Sequence, residues 1–319
     1  MDTSLVTRCD EKTLEFAQGT AVLPGLTPYD NRRPMHVRGE FDGVPLSTYL
    51  SAAHPHVSLE TWRRRAESHC LSLGGRPVVD FEVPVRAGNE LIHLERGVVE
   101  PVVDTDLRFL YTDDALSVVE KPAPMPVHPS GRYNKHSMVS LLKHVFPDQQ
   151  FLPVHRLDAD TTGLMILAHT KVAARHLARQ FEARTVRKTY LAEVKGRVEA
   201  TQFHSRAPVS KRPSHAGRRE IDGEGQGAWT EFRVRDRAGD TTLLEVVPHS
   251  GRTNQIRVHL ASEGLPILGD APYGEDASMK SGTSRLRLHA WRIGFEHPIS
   301  GDRVDVEART PGWAGRESV

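Results

Sequence analysis

The chain has 319 residues, 38% of them hydrophobic and 26% charged, and a formal net charge of +1. This is the composition of a globular protein long enough for one large domain and a small satellite, and no apolar run approaches the roughly 18 residues of a membrane span. The opening segment MDTSLVTRCDEKTLEF mixes acids with bases and lacks an apolar core, so it is not expected to be a secretory leader.

Cys9 and Cys70 are the only cysteines. They make neither a disulfide framework nor a CxxC pair, which argues against zinc and thiol redox chemistry and for a reducing cytoplasm. The near-zero net charge hides an uneven distribution. Between Arg156 and Arg219 there are 14 Lys plus Arg against 5 Asp plus Glu. Such an excess can neutralise phosphates, although a charge run taken alone is more simply a solvated, salt-bridged face.

In chain order, residues 1 to about 40 show weak periodicity and several turn formers, Pro24-Gly25, Pro28, Asn31 and Pro34, and read as an irregular arm. Residues 41–98 read as a small α/β domain. Leu46, Tyr49 and Leu50 mark a short amphipathic helix, and Ser58 caps a second running SLETWRRRAESHC. Gly74-Gly75 makes a turn, with short strands around Val78 to Phe81 and Leu91 to Leu94. Residues 97–106 read as a linker.

From 105 to 312, strand signals recur in FLYTDDALSVVEK, which is two runs around an Asp-Asp turn, and in GLMILAH, TYLAEVKG and TLLEVVP. Between them KVAARHLARQFEAR places Ala173, Ala174, Leu177, Ala178 and Phe181 on one helical face. Without a strict βαβ rhythm, the expected class is α+β, on a largely antiparallel mixed sheet. The Gly/Ser/Arg-rich stretch from about His204 to Gly227 reads as a mobile loop.

The chemistry concentrates in HRLDADTTGLMILAHT, residues 155–170. A polar run with one Arg and two Asp enters a buried-looking strand through Gly163, as a rigid scaffold displays a reactive carboxylate at a sheet edge. HRLD alone would be a surface ion pair. Extended to HRLD-x-D-T-T-G-L, it resembles the signature of the RluA-type pseudouridine synthases. Four further blocks resemble that family in the same order: VVEKPAPMPVHPSGR (118–132), RKTYLAEVKG (187–196), LLEVVPHSGRTNQIRVHLASEGLPILGDAPYG (243–274) and RLRLHAWRIGFEHPISG (285–301). The segment GVPLSTYL…SLETWRRRAESHCLSLGGRPV…VRAGNELIHL resembles an S4-type RNA-binding module, against the plainer reading of a small α/β domain with a solvated basic helix.

The resemblance implies isomerisation of selected uridines to pseudouridine in a pseudouridine synthase catalytic domain. One C–N bond is exchanged for C–C, with no cofactor and no metal. Asp158 would be the catalytic carboxylate, acting as nucleophile or base. Arg257 would keep it ionised in a dry pocket, and Tyr190 would stack on the flipped uracil. Substrate-binding positions would be Arg156, which enters the RNA stack as the base leaves, with His155, Thr162, Asn254 and Ile256, although Ile256 fits a plain core position equally. Arg63, Arg64 and Arg65 of the S4-like helix would face RNA.

Three departures stand out: Asn254 in place of the family's His, Thr162 in place of Ser, and Ala123-Pro124 where Gly is preferred. The 17 histidines, including the pair His54 and His56, show no converging third ligand, and GEGQG is misplaced for a phosphate loop. Asp160 is expected to support the loop rather than react. The expected partner is RNA, ribosomal or transfer, met by a cytoplasmic monomer without membrane contact. The competing reading is an inactive RNA-binding or ribosome-assembly factor on the same fold.

Overall fold

The computed structural model describes residues 3–55, 57–214, 218–274 and 286–315. His56, residues 215–217 of the glycine-rich stretch, and residues 275–285, including Arg285, lie outside the described residues. The chain divides into two compact units, Met1–Leu23 with Pro101–Val319, and Pro24–Glu100.

Helix α1 (Thr3–Gly19) opens the chain and belongs to the larger unit, where the sequence predicts an irregular arm. Its packed face is Cys9, Thr13, Phe16 and Thr20, an i, i+4, i+7, i+11 stripe. Half of that stripe is threonine, so an apolar count misses the period, while Val6 and Leu14 face solvent. The threonine hydroxyls seal the helix instead. Thr13 Oγ1 accepts the Phe109 N–H at 3.0 Å, and Thr20 Oγ1 donates to the Phe16 carbonyl at 2.8 Å. Phe16 is fully buried in a cluster with Phe109, Leu142, Phe146 and Phe151.

The smaller unit comprises β1 (Tyr29–His36), α2 (Leu46–Ala53), α3 (Leu59–Glu67), β2 (Leu71–Leu73), β3 (Arg76–Pro77) and β4 (Glu90–Val98), with an antiparallel sheet in the order β1-β4-β2-β3. Strand β1 lies within the predicted arm. It holds the sheet edge, the position where a proline such as Pro34 is tolerated. As expected, α2 buries Leu46, Tyr49 and Leu50, and Ser58 caps α3 by accepting the Thr61 N–H at 3.2 Å. Gly74 and Gly75, both at positive φ, turn β2 into β3. Val78 to Phe81 is not a strand. Val78 and Phe81 are buried but Val79 is 93% exposed, a spacing of three that anchors a loop rather than alternating.

The larger unit continues with β5 (Arg108–Thr112), β6 (Leu116–Lys121), α4 (Met138–Val145), β7 (Leu152–Pro153), β8 (Thr162–Ala168), α5 (Lys171–Glu182), β9 (Arg187–Lys195) and β10 (Gln202–Ser205), then β11 (Thr230–Ala238), β12 (Thr241–Pro248), α6 (Gln255–Ser262), β13 (Leu288–Glu296) and β14 (Arg303–Glu307). These strands form one mixed, largely antiparallel sheet in the order β10-β11-β12-β9-β13-β8-β6-β5, with β14 on β13 and β7 on β8. Helix α5 covers one face through Ala173 and Leu177, as its periodicity predicts, and α1 and α4 contribute to the cluster around Phe109.

Among the described residues the one parallel pairing is β8 with β13, where two pairs register, Thr162 with His289 and Gly163 with Ala290. A Cβ on Gly163 (φ +110°) would lie 2.3 Å from the Ala290 carbonyl oxygen, so no other residue fits the seam. Registered partners carry one row across five strands: Val246, Tyr190, Ala290, Gly163, Lys121. Side chains of such a row share one face of the sheet, which sets Tyr190 and Lys121 on the same side.

The stretch predicted to be a mobile loop is ordered in its described residues. Val209 is buried and bridges to Ile221 and Gln226, and His259 of α6 donates Nε2–H to the Ala207 carbonyl at 2.9 Å. Polar loop composition concealed one buried anchor and its backbone pairings.

Because α1 is part of the larger unit's core, Phe16→Ala should destabilise that unit by about 3–5 kcal/mol, read as a lowered urea midpoint. An irregular arm would tolerate the same change.

Candidate active site

Asp158 lies in the loop that enters β8. The Thr161 N–H donates to its carbonyl at 3.1 Å, closing a tight turn. One residue on, the Ala159 carbonyl accepts from the Met125 N–H at 2.9 Å and from Lys121 Nζ at 3.2 Å. Lys121 is wholly buried and also donates to the carbonyls of Pro122 (2.8 Å) and Met125 (2.9 Å). It staples the 121–125 segment, which includes a cis Ala123–Pro124 bond, to the Asp158 loop. Burial pulls the Lys121 pKa down to about 7, against the nearby charges of Asp160, Asp158 and Asp104.

Arg257 projects from α6, a helix buried on all sides from Gln255 to Leu260. Its Nε and Nη2 donate to the two oxygens of Asp270 at 2.8 and 2.7 Å, a bidentate fork, and its Nη1 reaches Asp158 Oδ2 at 3.1 Å. The Asp270 side chain is wholly buried, whereas 24% of the Asp158 side chain remains accessible. Burial lowers the Arg257 pKa, but the hydrogen bonds and charge of Asp270, with those of Asp158, outweigh it and hold the guanidinium above its ordinary value.

Asn254 takes the left-handed conformation just before α6, one that asparagine tolerates. With its amide oriented to satisfy both neighbours, it donates to Asp158 Oδ2 at 2.8 Å and accepts the Tyr273 hydroxyl at 3.0 Å. That hydroxyl also accepts the Arg219 N–H at 2.8 Å, and the Tyr273 ring lies 4.9 Å from the Arg257 guanidinium carbon. The closest donors converge on Oδ2, which leaves Oδ1 of Asp158 the less engaged oxygen. Tyr190 packs against the apolar clusters on both sides of its strand. Burial, and then the charge of Asp158, raise its pKa, so the phenol stays protonated.

The structure therefore brings Asp158, Arg257, Asn254 and Tyr190 into one neighbourhood. Arg156 is exposed on the same loop, its charge adding to burial in lowering the His128 pKa. Thr162 Oγ1 is 2.8 Å from His289 Nδ1 and supports the seam. Ile256 is buried in the apolar cluster that backs Tyr190, a core position.

His155 does not belong to the site. Its Nε2 accepts the Ile166 N–H at 2.9 Å, its ring stacks on Phe181 at 4.7 Å, and burial drives its pKa to about 3. It is a neutral structural side chain committed to the loop's scaffold. Arg63, Arg64 and Arg65 lie in the smaller unit. Arg63 and Arg64 are exposed, Arg63 lies over the Phe81 ring, and Arg65 packs on Trp62 at 4.6 Å.

Asp270, Tyr273 and Lys121 join the site without having stood out in the sequence. All three stand inside the matched blocks, and the requirement that a buried arginine have a geometric partner was the signal that could have led to Asp270.

The family model described as RNA pseudouridylate synthase matches residues 115–262. A ribosomal large subunit pseudouridine synthase D of Nitrosomonas europaea is 40% identical over 216 residues, covering 64% of this chain and 62% of the relative. An RNA pseudouridine synthase of Aquifex aeolicus is 33% identical over 285 residues, 83% of this chain and 90% of the relative. The chain belongs to the RluA-type RNA pseudouridine synthases. The structure of human RNA pseudouridylate synthase domain containing 1 superposes with a TM-score of 0.56 at 28% identity, covering 67% of this chain and 87% of that one. Asp158, Tyr190 and Arg257 all fall within the segment matched by the family model.

Two outcomes are expected for this synthase. Asp270→Asn weakens the fork that orients Arg257, so single-turnover pseudouridine formation should fall by at least about tenfold, the effect of about 1.4 kcal/mol on the barrier, while RNA affinity holds. Lys121 binds a proton in the unfolded chain up to its ordinary value of 10.5 but in the folded chain only up to about 7. Between those values the unfolded state holds more protons, so this group makes stability rise with pH. Chemical unfolding across that window should show the rise in the parent protein and lose it in Lys121→Met.

Proposed function

We propose that this protein isomerises specific uridines of structured ribosomal RNA to pseudouridine, using Asp158 on a base flipped out of its stack. The observation that carries the reading is the Asp158 carboxylate, open to solvent yet held by Arg257 and Asn254. A carboxylate fixed by a guanidinium and an amide donor, yet still accessible, is the arrangement that a nucleophile or base requires. The neutral Tyr190 offers an aromatic wall for the extruded uracil and a hydroxyl for a late proton transfer. An inactive binding factor would have no need of an assembled Asp158, Tyr190 and Arg257.

The ribosomal substrate is favoured by the name of the Nitrosomonas europaea relative, a large-subunit enzyme. The Pro24–Glu100 unit acts as an S4-like RNA-binding module, with Arg63 and Arg64 toward phosphate and Arg65 also serving as packing on Trp62. The enzyme works as a cytoplasmic monomer; no described helix is long and apolar enough to cross a membrane.

The test is nucleotide-resolution mapping of pseudouridine in total RNA from a deletion strain complemented with the parent or with Asp158→Asn. The parent should restore defined sites in ribosomal RNA, and the variant should restore none while still binding that RNA. Restoration by Asp158→Asn would overturn the catalytic assignment, and restoration in transfer RNA alone would overturn the substrate. Activity in vitro should be undiminished by EDTA, because the bond exchange needs no Lewis acid. Arg63→Gln with Arg64→Gln should flatten the log-affinity against log-salt plot by about 0.7 to 0.9 for each phosphate no longer neutralised.

A further inference from the structure

Three flat side chains are layered at the edge of the larger unit. The His249 and Trp229 rings stack with centroids 3.8 Å apart and planes 18° from parallel, and the Arg206 guanidinium carbon lies 4.8 Å from the Trp229 ring centre. We propose that this Arg206–Trp229–His249 stack is a second RNA-contacting site, which receives an unpaired nucleotide flanking the uridine that reaches Asp158. The inference rests on the reading that RNA is the substrate.

The stack's two ends differ. At one, His249 Nε2 lies 3.2 Å from a carboxylate oxygen of Glu231. At the other, Arg206 is exposed and makes no hydrogen bond or ion pair among the described residues. A scaffold needs no cation on its outer layer, and an acid would ordinarily pair with one placed there. A guanidinium over an aromatic ring has a planar face on which a base can stack and N–H edges that bind phosphate. Lys211 and Arg212, exposed a few residues on in the same loop, add positive charge to this stretch, although Glu220, Asp222 and Glu224 follow in sequence.

The platform is rigidly tied to the catalytic residues. The Trp229 N–H donates to Ser250 Oγ at 2.9 Å, and the Trp229 carbonyl accepts Gln255 Nε2 at 3.1 Å. Gln255 directly follows Asn254, the residue that holds Asp158. The Ala207 carbonyl, next to Arg206, accepts from His259 of α6. The helix that aims Arg257 at Asp158 thus also holds Trp229 and the residue next to Arg206. Nucleotides threading past Asp158 would meet it without rearrangement.

The test measures fluorescence anisotropy with full-length protein and two labelled probes of equal length, a short oligouridylate and an abasic ribose-phosphate oligomer. Removing a stacked base from an aromatic platform weakens binding by about five- to a hundredfold. Arg206→Gln should therefore weaken oligouridylate binding within that range and abasic binding far less, with an unchanged melting temperature because Arg206 is exposed. Trp229→Leu should show the same selective loss, and if it fails to fold, Arg206→Gln alone decides. Equal weakening on both probes would overturn the stacking site in favour of simple phosphate attraction. Unchanged affinity for both would make the stack a scaffold and sink the inference while leaving the proposed function intact. If the parent protein bound neither probe and modified no RNA, both would fall together.

Discussion

A guanidinium buried in protein is tolerable only where carboxylates converge on it with good geometry, and in this fold Arg257 meets two. The fork to Asp270 uses Nε and Nη2, which fixes the plane of the group. What remains, Nη1, can then point in only one direction, and it points at Asp158. The two acids differ in exposure and so in role. The wholly buried Asp270 serves as an anchor, whereas the partly open Asp158 keeps one less engaged oxygen. A lysine in place of Arg257 could neutralise one of these acids but could not hold the other in register.

That charge arrangement spans a discontinuity in the sheet. The loop bearing Asp158 runs into β8, which belongs with β6 and β5. Arg257 and Tyr190 come from α6 and β9, on the far side of β13. The halves are joined by two registered residue pairs, one of them Gly163 with Ala290, where the backbones approach too closely for any side chain. Lys121 reaches the Asp158 loop from the β6 side and Tyr190 stands on the β9 side of the same row. The seam therefore sets the distance between the Asp158 loop and Tyr190, and alignment at Asp158 depends on backbone contacts that carry no chemistry of their own.

The sequence made the candidate site residues Asp158 and Arg257 legible because they cluster in short polar segments against apolar strands. HRLD before GLMILA and QIR within a buried helix left few other uses for Asp158 and Arg257. It left Asp270 and Tyr273 silent, because a bidentate fork and a shared hydroxyl are properties of three-dimensional placement. His155 shows the opposite failure. Adjacent to Arg156 in the motif, it carries a ring that accepts a backbone N–H and stacks on Phe181, and nothing in its type or position distinguishes a scaffold histidine from a ligand. Helix α1 escaped because threonines occupy half of its buried stripe. The stretch from His204 escaped because its order rests on buried Val209 and on a carbonyl taken by His259.

The larger unit begins at the N-terminus, is interrupted after Leu23 and resumes at Pro101. During synthesis this ordering becomes a delay. Phe16 leaves the ribosome roughly 90 residues ahead of Phe109, an interval of about 5 to 20 s at ordinary elongation rates, and Phe146 and Phe151 emerge later still. Through that interval α1 is a 17-residue helix without its partners, marginal in water by itself, with Cys9 and Phe16 uncovered. The Pro24–Glu100 segment closes its own sheet and core from residues already made, so it can fold while the first helix of the chain waits. Helix α1, made before its partners, is thus among the last elements to reach its place, and until the aromatic cluster arrives Phe16 is an exposed apolar group that the cell must keep from other partners.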